Sequence, residues 1–314
     1  MIGRREIIDS ATTSGLNPHV VEKDYVLGWL LWGINEHEAL RGRWIFKGGT
    51  CLKKCFFETY RFSEDLDFTL TDPGHLDDGF LRRVFAEIGE RIHETSGIEI
   101  PTDAQRFEIL RNPRGHTACQ GRVGYRGPVS PPGRNFPRIK LDLTADETIV
   151  LPPVISPVFH PYSDTPENGI AAHSYAYEEA FAEKVRALAE RARPRDLYDA
   201  IHLFRHGDRL PSPSRLREVL QQKCAFKGIA VPTAASMERH RAALAAGWHD
   251  MLAHQLPALP GFEAFWELLP AFLAWLDGGP MAPTEMPIEG PADEALIRER
   301  TQRLDLSASV RAHL

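Results

Sequence analysis

Asp65 and Asp67 stand two apart in a run, residues 62 to 70, where Leu66, Phe68 and Leu70 alternate with Asp65, Asp67 and Thr69. Strict alternation predicts a half-buried β-strand, and carboxylates at i and i+2 of a strand leave by the same face. Two carboxylates so placed can grip a divalent cation, and oxygen ligands suit magnesium or manganese. Ile139, Leu141 and Leu143 alternate in the same way with Lys140, Asp142 and Thr144, which makes Asp142 the candidate third metal ligand, on a neighbouring strand. Such a site serves phosphoryl or nucleotidyl transfer. That chemistry requires ions bridging phosphate oxygens, an aligned nucleophile and a cation near the leaving group. A lone Asp-x-Asp on a strand also occurs as solvated surface, so the pair needs company.

Company stands upstream. Trp44-Ile45-Phe46 reads as a short strand ending at Lys47-Gly48-Gly49-Thr50, after which Leu52, Cys55, Phe56 and Thr59 recur at helical spacing. A strand that gives way to a helix through glycines presents free backbone N–H groups and the positive end of the helix dipole, both favourable to a triphosphate. The same three residues also make an ordinary turn. Downstream, a helix from about residue 175 to 191 carries Tyr177, Phe181, Val185 and Leu188 on its apolar face, edged by Lys184 and Arg191. Lys184 either reaches a triphosphate or snorkels over apolar surface, and Arg191 has the same two options. After Pro194, Asp196 and Asp199 lie at i and i+3 on the next helix; they either favour a helix N-terminus or orient Lys184 and Arg191.

Other chemistries find little footing. Cys51, Cys55, Cys119 and Cys224 make no CxxC pair and are too sparse for a disulfide scaffold or a four-cysteine zinc site, so they are expected to be reduced. No HExxH arrangement suggests zinc and no GxSxG elbow suggests acyl transfer. The net charge of −6 argues against indiscriminate nucleic-acid binding. Locally the sign reverses. From Asp103 to Lys140, seven arginines (106, 111, 114, 122, 126, 134 and 138) and one lysine face only Asp103 and Glu108. That strip is either a solvated surface or a contact for RNA, and it joins the strand carrying Asp142.

The elements that must position these residues are legible from periodicity. The first forty residues read as helical, with an apolar stripe through Val20, Val21, Tyr25, Leu27, Trp29, Leu30 and Leu31. Residues 76 to 95 are again helical. Residues 98 to 158 show short alternating runs broken by Gly and Pro, as expected of antiparallel strands. Helices dominate from Tyr175, with Trp248, Phe262, Phe265, Trp266, Phe272 and Trp275 as their core. A Pro/Gly cluster, residues 278 to 291, reads as a linker to a last amphipathic helix at about 293 to 304. Three divisions follow: residues 1–160 as an α/β core with N-terminal helices, 161–279 as a helical lobe, and 280–314 as linker and terminal helix. At 314 residues and 43% hydrophobic content the chain has material for a real core. Its longest nearly apolar stretch, residues 25 to 34, is about half of the roughly 20 residues that span a bilayer, and no secretory leader pattern opens the sequence; no membrane and a cytoplasmic location are expected.

The order GG[ST], helix, [ST]xDxD on a strand is the pattern of the polymerase-beta-like nucleotidyltransferase superfamily. Within it, Phe46-Lys47-Gly48-Gly49-Thr50 and Arg61-Phe62-Ser63-Glu64-Asp65-Leu66-Asp67 resemble the AbiEii/AbiGii toxin family of nucleotidyltransferases, which includes the MenT toxins. Glu22-Lys23-Asp24-Tyr25, Glu183-Lys184 and Arg195-Asp196-Leu197-Tyr198-Asp199 agree, so the likeness spans about residues 20 to 205. The resemblance implies an α/β (α+β) nucleotidyltransferase fold, a mixed sheet with flanking helices, plus a mainly helical C-terminal lobe. It implies NTP as substrate, magnesium as cofactor, and the toxin role of a toxin–antitoxin or abortive-infection pair. Some relatives add nucleotides to the 3′ acceptor end of tRNA. By that likeness Lys47, Gly48, Gly49, Thr50 and Ser63 line the phosphate site, Asp65 and Asp67 hold metal, and Lys184 with Asp196 or Asp199 supports the nucleotide. Cys51 stands where many relatives have serine, which leaves the loop backbone intact.

The expectation is a metal-dependent nucleotidyltransferase toxin that moves NMP from NTP to an RNA 3′ end, with tRNA as the expected acceptor and a cognate antitoxin as protein partner. Two rivals stay open: nucleotidylation or phosphorylation of a protein hydroxyl, including one on the antitoxin, and a catalytically silent module that binds nucleotide or a partner.

Overall fold

Helix α1 (Arg4–Ser14) closes on Gly15 in the left-handed conformation, and α2 (Pro18–Glu36) opens with Pro18 in its first turn and the Asn17 side chain accepting from the His19 N–H. Both caps follow local rules. The computed structural model describes residues 1–57, 61–133, 135–206, 209–256 and 258–279. The terminal helix and most of the linker expected after residue 278, together with Thr59 and Arg134, lie outside them. Helix α2 departs from the expected stripe: Tyr25, Val26, Leu27, Trp29, Leu30 and Leu31 are all fully buried, so apolar residues cover nearly every face. A helix of that kind belongs inside a protein. It packs on α1, on the sheet, and on α4 (Asp78–Ser96), which is capped by Asp77 and by Gly97.

The described residues form a seven-stranded sheet of β1 (Trp44–Lys47), β2 (Asp65–Leu70), β3 (Gln105–Arg111), β4 (Thr117–Gly124), β5 (Arg138–Thr144), β6 (Val154–Val158) and β7 (Ile170–Ser174), in the order β3-β4-β5-β2-β1-β7-β6. The expectation of antiparallel strands over residues 98 to 158 holds for β3/β4 and β4/β5; β6 pairs antiparallel with β7, which lies beyond that range, while β5 runs parallel to β2 and β7 parallel to β1. Parallel neighbours need long connections, which local sequence pattern does not reveal. The sheet also continues to Ser174, past residue 160, and residues up to 280 form one compact unit.

Alternation sorts the two faces. Trp44, Phe46, Leu66 and Phe68 join α2 and α4 in one core, while Ile45 joins Tyr175 and the later helices in a second. Asp65, Asp67 and Thr69 therefore face the second side, where the Thr69 and Tyr175 hydroxyls lie 2.6 Å apart. On that side α5 (Tyr177–Arg191) is anchored by Phe181, Val185 and Leu188, all at 0% exposure. Each such burial contributes roughly 1.5–3 kcal/mol, enough to hold the helix and its charged edge against the sheet. Helices α6 (Pro194–Arg205), α7 (Pro213–Lys227), α8 (Ala234–Glu238), α9 (Arg241–Leu252), α10 (Phe262–Trp266) and α11 (Leu269–Leu276) complete that layer. Trp248, Phe265, Trp266, Phe272 and Trp275 are buried among them, and Phe262 packs at their margin.

Candidate active site

Register places the acidic residues in rows. Lys47 of β1 pairs with Asp67 of β2, Asp67 with Asp142 of β5, and Asp142 with Gln120 of β4; one step earlier, Asp65 pairs with Lys140. The glycine turn sits directly on this row. Helix α3 (Gly48–Cys51) begins immediately after β1 and continues as a π-helix over Leu52–Phe56. Gly48 has φ +81°, and a β-carbon built on it would lie 2.0 Å from Asp67 Oδ2. On Gly49 it would meet Ser63 Oγ at 2.9 Å and Arg61 Nη2 at 3.0 Å. The Thr50 hydroxyl donates to the Asp65 carbonyl at 2.5 Å, tying the turn to the start of β2.

Burial, then the Asp142 charge and in lesser part that of Asp65, push the Asp67 carboxyl up to about 6, against the pull of Lys47 and Lys184. A carboxyl crowded by its own kind in this way is relieved by a cation. Protein cations already stand close. Lys140 Nζ is 2.5 Å from Asp142 Oδ2, and among the described residues no three acidic, imidazole or thiol groups are gathered tightly enough to ligate one ion as they stand. The donor set of Asp65, Asp67 and Asp142 suits a hard divalent ion by chemistry and by row; Lys140 holds the third carboxylate.

The helical side supplies the remaining residues. Lys184 Nζ lies 2.7 Å from Asp199 Oδ2, and Arg61 grips the same carboxylate through Nε and Nη2 at 2.7 and 2.8 Å. Burial alone would raise the Asp199 pKa, but Arg61 and Lys184 outweigh it and hold the group well below the usual range. Arg191 binds Asp196 in the same two-pronged manner, at 2.8 and 2.7 Å. Asp196 is thus paired with Arg191, and Asp199 with both Arg61 and Lys184. Lys47 lies 3.3 Å from Glu183 and 3.7 Å from Glu147, in a buried charged network that also includes Lys223 and Arg186.

A cavity of about 450 Å³ opens against the row. Lys47, Asp67 and Asp142 line it, joined by Gln120, by Asn112 and Arg114 of the β3–β4 turn, and by Lys227 of α7. Gly48, Gly49, Thr50, Ser63, Asp65, Lys184 and Arg191 are outside its lining. Sequence reading passed over Arg61, though it stands in the motif that carries Ser63, and over Glu183, the neighbour of Lys184. Their partners are distant in sequence: Asp199 for Arg61, and Lys47 and Lys223 for Glu183. It also passed over His202 and His206, one helical turn apart with ring centroids at 4.4 Å. Burial first and His206 second hold His202 down to about 3, and no third ligand gathers there among the described residues.

A mixed sheet carrying an i, i+2 aspartate pair against a diglycine helix start is a nucleotidyltransferase architecture. The chain is similar in fold to MenT4, a nucleotidyltransferase toxin from Mycobacterium tuberculosis H37Rv, with a TM-score of 0.56 and 19% identity over 98% of this chain and 99% of that one. No curated protein sequence matches it. The family model described as nucleotidyl transferase AbiEii toxin, type IV toxin–antitoxin system, matches residues 29–277, and the chain belongs to that family. No described helix is long and apolar enough to cross a membrane.

Proposed function

We propose that this nucleotidyltransferase toxin transfers NMP from an NTP to the 3′ hydroxyl of an RNA, with the tRNA acceptor end as the expected substrate, and that it does so with magnesium or manganese in the cytoplasm. The observation that carries the reading is the Lys47–Asp67–Asp142 row at the wall of the 450 Å³ cavity, with Gly48 in contact with Asp67. Asp65 and Asp67 would hold the metal, with Asp142 as third ligand once Lys140 turns away. Bound there, a divalent ion supplies the positive charge that activates the hydroxyl and steadies the departing pyrophosphate.

The chain's own groups do the rest. Gly48, Gly49 and Thr50 offer backbone N–H groups to the phosphates, with Ser63 beside them. Lys184 and Arg191 present positive charge toward Asp67, each fixed by a carboxylate from α6. Lys47 reaches the same side of the cavity, steadied by Glu183 and Glu147. The acceptor oxygen forms its bond to the α-phosphorus as the bond to the β-phosphate bridge breaks. As a member of a toxin–antitoxin family, the protein is expected to meet a cognate antitoxin.

The test is incubation of the purified protein with each labelled NTP and either total RNA, purified tRNA or cellular protein, with and without chelator. Label on RNA that chelation abolishes is the expected result. Label confined to protein would overturn the acceptor assignment, and none in any arm would favour a binding module.

A further inference from the structure

The row beside the carboxylates is cationic. Arg106 of β3 pairs with Arg122 of β4, Arg122 with Lys140 of β5, and Lys140 with Asp65 of β2. Partners in register share a face, so three positive side chains form a line that ends at the first aspartate of the pair. Neighbouring strands lie about 4.8 Å apart, so the line runs roughly 14 Å from Asp65 to Arg106.

That arrangement works against the fold. Like charges directly opposite on adjacent strands destabilise a sheet. Only Lys140 finds relief, in Asp142; Arg106 and Arg122 are exposed and make no ion pair among the described residues. A local conflict retained without internal compensation points to an external anion. The surroundings agree. A second cavity, of about 540 Å³, is lined by Arg82, Arg106 and Arg122, with Asp103 and Glu108 as its acidic members. Gln120 lines both this cavity and the one holding Asp67 and Asp142, so the two adjoin across a single side chain.

We propose that Arg106, Arg122 and Lys140 form a track for the sugar–phosphate backbone of an unpaired RNA 3′ segment, which delivers its terminal hydroxyl to Asp65 and Asp67. The proposal rests on the RNA-acceptor reading above and adds the direction of approach, across β3, β4 and β5. At about 3.4 Å rise per stacked nucleotide, the line accommodates about four nucleotides. Regular cations without base-reading partners hold a backbone whatever its sequence, so the track positions the end and leaves base choice to the cavity.

The experiment is fluorescence anisotropy of a short 3′-hydroxyl RNA oligonucleotide over a series of salt concentrations, beside labelling of the same RNA. Arg106→Gln/Arg122→Gln is expected to bind at least tenfold more weakly. The slope of log affinity against log salt should flatten by about 1.4, at roughly 0.7 for each lost phosphate contact on a single strand. Binding of a fluorescent NTP analogue should be unchanged, and Arg106→Lys/Arg122→Lys should restore most of the RNA affinity. A glutamine variant that binds RNA with wild-type affinity and slope, while the wild type labels RNA, would overturn the track and leave the acceptor reading standing. A wild type that neither binds nor labels RNA removes both.

Discussion

Gly48 and Asp67 are in contact through the side chain that Gly48 lacks: the Asp67 carboxylate occupies space within 2.0 Å of an ideal β-carbon there, at a backbone φ of +81°. Turn and carboxylate are thus one unit, brought together by the antiparallel pairing of Lys47 with Asp67.

Gly48→Ala should break that unit in two ways at once. The side chain must displace Asp67 and the backbone must bear a conformation L-residues avoid, at a cost on the order of 1–3 kcal/mol. We expect a lower thermal midpoint and at least tenfold less transfer. An alanine variant matching wild type in both would detach the turn from the site.

Asp67→Asn is expected to remove activity by roughly 10³-fold, equivalent to about 4 kcal/mol of transition-state stabilisation, with Asp65→Asn similar. Stability should hold or rise, because the substitution relieves the repulsion among Asp65, Asp67 and Asp142. Toxicity on expression and thermal unfolding are the two readouts. A folded Asp67→Asn variant that inhibits growth like wild type would sink the metal assignment.

Asp199→Ala should cost about 3–5 kcal/mol in denaturant unfolding, since it strands Arg61 and Lys184 inside the protein. Lys184→Met leaves Asp199 with Arg61 and should cost much less, while still suppressing transfer if Lys184 serves the nucleotide. Equal stability losses for the two variants would show the lysine to be structural.

His160 predicts an acid limb. Its ring is buried beside Tyr25, Trp29 and Tyr162, neither nitrogen has a hydrogen-bond partner among the described residues, and burial followed by the Lys54 charge hold it down to about 3 from 6.5. The folded pKa is the lower one, so the neutral ring's stability is complete above pH 6.5 and is lost as pH falls toward 3. Chemical denaturation between pH 7 and 4.5 reads this decline together with that of His202, which is held down in the same way, while Asp67, raised to about 6, acts in the opposite direction. His160→Phe should flatten the decline there, and an unchanged slope would assign it to other groups.

The acidic strand was legible because its alternation is local: Leu66 and Phe68 are buried and Asp65 and Asp67 are not fully so. The same signal marked Asp142 on β5. Periodicity could not say that β5 lies parallel beside β2, nor that Gly48 touches Asp67, because both depend on connections that leave no spacing in the chain. Charged residues were hardest to read. Glu22 and Asp24 look like the polar side of a helix, yet both are buried, Glu22 accepting from the Val129 N–H and Ser130, and Asp24 held by Lys53 and Lys54. For Asp196 and Asp199 the spacing left a helix start and the orienting of Lys184 and Arg191 both open; Asp196 stands in the first turn of its helix, and the two carboxylates pair with Arg191 and Lys184.

Strand β7 enters beside β1 only after the chain has passed residue 170, and α5 and α6 follow from it. A ribosome must therefore synthesise well beyond both aspartates before Lys184 and Arg61 acquire their shared anchor. A chain that stops short of Asp199 carries the acidic pair with Lys47 and Lys140 beside it but without the carboxylate that Arg61 and Lys184 share.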